Sequence, residues 1–180
     1  YEAGINVTSL PGACACITAL TMSGQPTRRF AFEAFLPYDK KERAQILENL
    51  RNETRTIIIY EAPHHLKKTL KECREYLGNR NMTVCKELTK RYEQKRKSTL
   101  DEMIAYYEEN EPRGEYVLIF EGKSLQELKE EKQQEWNQLT VQEHMEHYLE
   151  KGMDKKSAMK QVAKDRGVSK RDIYQELLKE

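Results

Sequence analysis

No run of apolar residues in this 180-residue chain approaches the roughly 20 that a membrane-crossing helix needs. Apolar residues are scarce at 38%, against 34% charged. The charges gather after Gly122, so the first two-thirds keep enough apolar material for a core. That length suits one medium domain, or a domain with a small appendage. Cysteine is also scarce, at Cys14, Cys16, Cys73 and Cys85. Cys14-Ala15-Cys16 lacks zinc-ligand spacing and no Cys/His pair completes it, so no metal is expected. Four reduced thiols in a cytoplasmic protein are expected instead. An excess of either charge is missing too: the net charge is +1. Any nucleic-acid surface must therefore come from local clustering. The opening residues do not follow the pattern of a secretory leader, and they lack an N-cap. Tyr1-Glu2-Ala3-Gly4-Ile5 reads as the last turn of a helix with a glycine C-cap. A segment of a longer protein is the expectation.

The most informative stretch present is Thr56-Ile57-Ile58-Ile59-Tyr60-Glu61-Ala62-Pro63-His64-His65-Leu66. An unbroken apolar run suits a strand covered on both faces. Pro63 cannot donate to a ladder, so the strand ends near Ala62. A helix follows over Leu66 to Leu77, with apolar residues at 66, 70, 73 and 77. Ligands of open α/β sheets collect at the carboxyl ends of strands, which is where Glu61 and His64 fall. The competing reading is a surface acid and two histidines that merely begin a helix.

Other elements alternate around this stretch. Ile5 to Leu10 reads as a strand closed by Pro11-Gly12. Ala13 to Met22 reads as a helix of small residues, whose entry lets backbone approach a ligand or simply allows tight helix-on-sheet packing. Phe30 to Pro37 is a strand and Lys40 to Leu50 an amphipathic helix. Met82 to Leu88 is a strand that leads to Glu87 and Lys90, again an acid and a base at a strand end. Residues 91–98 are basic without clear periodicity. Thr99 caps a helix that runs to about Glu109, and Glu115 to Gly122 is a last strand. Strands alternating with helices predict an α/β fold with a mixed sheet flanked by helices.

Past Gly122 strand signals stop. The predicted division is 1–122 for the α/β part, 123–139 for a solvated helical linker, and 140–180 for a small all-helical unit. In that unit Gly167-Val168-Ser169 separates two helical patterns in the manner of a helix-turn-helix. Lys155, Lys156, Lys160, Lys164, Arg166, Lys170 and Arg171 cluster there and suit phosphate contacts. Asp154, Asp165 and Asp172 interleave with them, as in an ordinary solvated bundle.

Several motifs occur in a telling order: Leu10-Pro11-Gly12-Ala13-Cys14-Ala15 with Thr18-Ala19-Leu20, Gly24-Gln25-Pro26-Thr27, Phe35-Leu36-Pro37, Tyr60-Glu61-Ala62-Pro63-His64, Glu87-Leu88-Thr89-Lys90 and Gly114-Glu115. The set resembles the C-terminal portion of the ribosomal RNA small subunit methyltransferase I family, within the tetrapyrrole methylase superfamily. The resemblance implies S-adenosylmethionine as cofactor and the 2′-hydroxyl of a cytidine in small-subunit rRNA as substrate. It also implies a missing N-terminal half that forms the other wall of the cofactor cleft, so this chain alone is expected to bind cofactor weakly and to be inactive. The sequence departs from the family pattern at Cys14 (commonly serine), Ala34 (commonly glycine), His65 (commonly arginine) and Ser98 (commonly glycine).

By the same resemblance, Pro11, Gly12, Ala13, Cys14, Ala15 and Thr18 line the cofactor pocket. Glu61, His64, Glu87 and Lys90 form the catalytic set, with Glu61 or Glu87 as proton acceptor or orienter. His65, Lys160, Lys164, Lys170 and Arg171 are expected to contact RNA. The expected partners are small-subunit rRNA or the ribosomal subunit and the missing half, with a homodimer left open. The alternatives are a tetrapyrrole methyltransferase and a non-catalytic nucleic-acid-binding module.

Overall fold

The computed structural model describes residues 1–178. Those residues form two compact units, divided between Lys123 and Ser124.

The first unit is a five-stranded sheet with helices on both faces. Its elements in chain order are α1 (Ala15–Ser23), β1 (Phe30–Phe35), α2 (Lys40–Leu50), β2 (Thr56–Glu61), α3 (Pro63–Leu77), β3 (Asn81–Lys86), β4 (Gln94–Thr99), α4 (Leu100–Glu109) and β5 (Tyr116–Phe120). The strand order is β1-β2-β5-β3-β4. β1 and β2 are parallel, whereas β5 is antiparallel to both β2 and β3. β2 and β3 therefore run the same way, and the sheet is mixed as predicted. Glu61 and Lys86 flank Tyr116 from its two sides. The ends of β1, β2 and β3 and the start of β5 thus share one edge of the sheet.

β2 divides the core because successive side chains alternate between faces. Ile57 and Ile59 face α2, α3 and α4 and pack with Leu66, Leu70 and Leu118. Ile58 faces α1 and packs with Cys16, Leu20 and Cys85. The apolar stripe of α3 is buried as its spacing predicts, at Leu66, Leu70, Cys73 and Leu77. Burial pushes the Cys73 thiol up to about 12, as expected of an apolar packing residue. All four cysteines are free thiols.

Three expectations need correction. Ile5 to Leu10 is not a strand: no described strand lies beside it, so its ladder groups have no partner, and Ile5, Val7 and Leu10 are exposed. Residues 91–98 do contain a strand, β4, which pairs with β3 from Asn81↔Thr99 to Lys86↔Gln94. It is an edge strand exposed over Gln94–Lys97, so its alternation carries no apolar signal, and its charges are typical of edge strands. Pro63 does not merely end β2. It is the first residue of α3, where its missing N–H costs nothing, so His64 and His65 lie inside the helix.

Ala34 has a physical account as well. β1 carries a bulge between Phe32 and Phe35, and Ala34 there has φ +50°. That conformation costs an L-residue about 1–2 kcal/mol, which is why glycine suits the position. The extra residue sets Phe35 opposite Tyr60, with ring centroids 5.6 Å apart.

The second unit holds α5 (Leu125–Asn137), α6 (Val141–Glu150), α7 (Lys155–Arg166) and α8 (Lys170–Leu177). Val141, Met145, Ala158, Val162 and Ile173 form its core. Side-chain capping boxes start α5, α6 and α8 at Ser124, Thr140 and Ser169, and Asp154 caps α7. α5 buries no residue fully, yet it docks within this unit. Trp136 stacks on His144 with centroids 3.9 Å apart, and the Gln133 side chain donates to the Arg166 carbonyl. Among the described residues, no helix is long and apolar enough to cross a membrane.

Candidate functional site

The edge where β1, β2 and β3 end gathers most of the predicted polar residues, but in two separate constellations. Glu61 is buried, with 5% of its surface exposed, and it faces α3. Its Oε1 accepts from the Ala62 N–H at 2.8 Å, and its Oε2 accepts from the Thr69 hydroxyl. Arg43, from α2, reaches over Glu61 at 3.8 Å, donates to Thr69 Oγ1 at 2.6 Å and pairs with Glu72 at 2.5 Å. Both oxygens of Glu61 are therefore committed, and a buried carboxylate is compensated by a buried guanidinium and a hydroxyl. A pocket of about 320 Å³ opens beside this network, lined in part by Phe35, Pro37, Tyr38, His65 and Lys68. His65 stands edge-on to Tyr38 at 5.4 Å and tilts against His64 at 4.1 Å. His64 itself is exposed.

Glu87 lies in the loop after β3, where it and Thr89 have φ of +50° and +62°. A non-glycine residue held in this region marks backbone that its surroundings over-determine. Here the surroundings are visible. Glu87 Oε1 accepts from the Glu115 N–H at 2.8 Å and from Lys90 Nζ at 3.1 Å. Lys90 is shared with Glu115 at 2.9 Å. Gly114 has φ +82°, and a Cβ there would meet the Glu87 carboxyl at 2.6 Å. Only glycine leaves room for this carboxylate. The Glu115 N–H, then Lys90, hold the Glu87 carboxyl below the usual carboxylate range. Its Oε2 accepts no hydrogen bond among the described residues. Lys90 is correspondingly held as a cation, by Glu115 first and then Glu87.

The segment read as cofactor-lining lies on the face opposite Glu61. Pro11, Gly12, Ala13, Cys14 and Ala15 are exposed, and a Cβ added at Gly12 would meet nothing within 4 Å. Thr18 is half-buried, and its hydroxyl donates to the Cys14 carbonyl at 3.0 Å. Cys14 and Cys16 bring their sulfurs to 3.3 Å. The Ile17 N–H, then the Cys16 thiol, lower the Cys14 pKa, whereas burial raises that of Cys16. Tyr60 and Leu88 pack on this α1 side. The structure thus brings the loop after β3 and the α1 entry to one side of the sheet, and it leaves Glu61 on the other.

Sequence reasoning missed Arg43, Thr69 and Glu115. Two had a signal. Arg43 lies on the face that α2 buries through Leu47 and Leu50, and Thr69 lies on the buried face of α3 beside Leu66, Leu70 and Cys73. A polar residue on an apolar stripe demands a partner. Among the described residues, no group of three or more His, Cys, Asp or Glu could hold a metal ion.

In the second unit Lys160, Lys164, Lys170 and Arg171 are all exposed. Arg166 is not available: it donates to His144 Nδ1 at 3.2 Å, to the Leu139 carbonyl at 2.5 Å and to the Thr140 carbonyl at 2.9 Å. It is a structural clamp on the start of α6.

Comparison with known proteins sets this geometry in context. A family model described as Tetrapyrrole (Corrin/Porphyrin) Methylases matches residues 1–104. The chain is 47% identical over 171 residues to the Ribosomal RNA small subunit methyltransferase I of Halalkalibacterium halodurans, covering 95% of this chain and 58% of that protein. It is 46% identical over 173 residues to the protein of that name from Bacillus subtilis, covering 96% and 59%. With the Synechocystis protein of that name it shares 39% over 175 residues, covering 97% and 61%. The chain thus spans about three-fifths of the length of these relatives. The expected restriction to a C-terminal portion is not borne out by these matches, which cover nearly all of this chain.

Proposed function

The chain belongs to the tetrapyrrole (corrin/porphyrin) methylases, and on that premise we propose that it serves S-adenosylmethionine-dependent 2′-O-methylation of a cytidine in small-subunit rRNA. The observation that carries this reading is the 47% identity, over 95% of the chain, to a ribosomal RNA small subunit methyltransferase I. The basic helical unit favours RNA over a corrin or porphyrin, because a small macrocycle offers no row of phosphates to meet those cations. We keep the division into a methylase part (1–122), a helical linker (123–139) and a helical domain (140–180) as part of the same proposal, with a cytoplasmic setting.

The residues present fit the cofactor. Pro11 to Ala15 are small and exposed, and Gly12 has open space around it, so backbone can approach a bound molecule closely. When bound, the cofactor supplies the electrophilic methyl group. This chain is proposed to form one wall of the pocket, with Thr18 supporting the turn through its bond to Cys14. The substrate hydroxyl must lose its proton as the bond to carbon forms. Glu87 is suited to accept that proton: it is ionised, its Oε1 is fixed by Glu115 and Lys90, and its Oε2 is unengaged. Lys90 holds Glu87 in place and offers a cation to the RNA backbone. His64 and His65 stand at the start of α3, where the helix dipole favours phosphate. Glu61 is a positioning residue, because its oxygens are both committed to Ala62 and Thr69.

The test uses the whole gene product that carries this chain, with small-subunit rRNA and methyl-labelled cofactor. The label is expected in RNA at a cytidine whose 3′ phosphodiester resists alkaline cleavage. Label on a base, or none on RNA but some on a corrin, would refute the assignment.

A further inference from the structure

The second unit carries an open groove of about 600 Å³ between the first turns of α7 and α8. Its floor is Met159 and its wall is Tyr174, which keeps 54% of its surface exposed. Lys155, Lys156, Lys170 and Arg171 stand around it. Lys160 and Lys164, also expected on RNA, do not line it. Among the described residues, no ion pair engages any of these four cations.

The interleaved acids are held elsewhere. Asp154 accepts from the N–H groups of Lys156 and Ser157 at the start of α7. Asp172 accepts from the Ser169 N–H at the start of α8, and the charge of Arg171 acts on it less than Ser169 does. Asp165 accepts from the Tyr148 hydroxyl and the Gln161 amide. Each carboxylate is engaged by a helix end or a neighbouring side chain. At the groove an exposed aromatic ring stands beside a largely buried thioether, within a ring of cations that no described residue pairs.

We propose that this groove seats one unpaired nucleobase of an RNA strand against Tyr174 and Met159, with Lys155, Lys156, Lys170 and Arg171 on the flanking phosphates. The inference rests on the RNA reading above. A helix-turn-helix that contacted phosphates alone would need no apolar floor. An acidic peptide would match the cations but not the ring and its open apolar pocket. Stacking on an aromatic ring within a positive groove is how single strands are held without reading their sequence.

Fluorescence anisotropy of the 180-residue chain with a short labelled single-stranded RNA tests this. Tyr174→Ala is expected to weaken binding about tenfold, a typical stacking loss, while Tyr174→Phe stays close to the parent. The same strand lacking its bases, and a duplex of it, are expected to bind the parent as weakly as the intact strand binds Tyr174→Ala. Lys155→Gln with Lys156→Gln should flatten the salt dependence by about 0.7 for each phosphate left without its cation. Trp136 emission reports that each variant retains the fold of this unit. Unchanged affinity in Tyr174→Ala, equal binding of the base-free strand, or equal competition by an acidic peptide of the same charge would overturn the proposal. Methyl transfer by the whole gene product separates the two readings. Transfer that persists without any Tyr174 dependence removes the groove alone; Tyr174-dependent binding without transfer removes the methylation reading alone.

Discussion

Charge is handled in opposite ways in the two units of this chain. In the first, acids and bases near the strand ends neutralise one another: Arg43 with Glu61 and Glu72, Lys90 with Glu87 and Glu115. In the second, Asp154, Asp165 and Asp172 are held at helix starts or by neighbouring side chains, and among the described residues the groove cations are left unpaired. A pairing fixes geometry, which a reaction centre needs; an unpaired cation keeps its attraction for a mobile polyanion. The same residue types thus build a preorganised site in one unit and a docking surface in the other.

The contrast breaks most visibly at Arg43. Arg43→Ala leaves Glu61 buried without its cation, a change that typically costs about 3–5 kcal/mol. Urea unfolding of the chain should show a loss of that size in the first unit. No comparable loss is expected from Lys160→Ala or Lys164→Ala, which are exposed on α7. A mild effect of Arg43→Ala would mean that Glu61 is better solvated than its burial implies.

The two strand-end acids should then separate. Glu87→Gln in the whole gene product is expected to lower the methyl-transfer rate about 100-fold or more, as removal of a proton acceptor does, with little change in Tm. Glu61→Gln is expected to act mainly on Tm, because its carboxylate is turned into the α3 network. If Glu61→Gln abolishes single-turnover methylation at unchanged Tm, and Glu87→Gln does not, the roles are reversed.

This division shows how much the sequence could tell. The α3 stripe, the N-cap at Thr99 and the mixed α/β order were legible because each depends on residues within one or two turns. The grouping of Glu61 with Glu87 was not. Both end strands, but Glu61 is on the α3 face, and Glu87 follows its strand in a left-handed turn whose geometry depends on Gly114, 27 positions later. β4 was hidden for a related reason: its pairing with β3 is long-range, and its own residues are charged on both faces. Arg166 was counted among the solvent-facing cations because nothing nearby in sequence reveals that it holds the start of α6.

Arg166 is the exception that sharpens the comparison, since it is the basic residue of α7 used for structure. Arg166→Met removes donors to His144, Leu139 and Thr140. A net loss of about 1–3 kcal/mol is expected from these charge-assisted bonds, seen as lower thermal stability of the second unit. RNA affinity of the folded protein should fall less than in the Lys155 and Lys156 variants. An Arg166→Met chain as stable as its parent would return Arg166 to the solvent-facing set.

The smallest effect concerns acid. His144 is fully buried and stacked on Trp136. Arg166 Nε donates to its Nδ1 at 3.2 Å. A guanidinium can only donate, so Nδ1 carries the lone pair and the proton sits on Nε2, facing Asp165 at 3.5 Å. Adding a proton at Nδ1 would set it against that donor. Burial first, and the Arg166 charge second, therefore lower the His144 pKa, outweighing Asp165. A histidine with a lowered folded pKa binds fewer protons folded than unfolded. Its contribution to stability is present above the ordinary histidine value of about 6.5 and is lost as pH falls through the folded value. The second unit should thus loosen between neutral and mildly acidic pH before the first does. Trp136 is the only tryptophan in the chain, so its emission follows the second unit, while far-ultraviolet circular dichroism follows both. His144→Gln should remove this step and leave the acid unfolding of the first unit unchanged. An emission titration identical in the parent and His144→Gln chains would show that Asp165 stabilises the protonated ring enough to cancel the repulsion from Arg166.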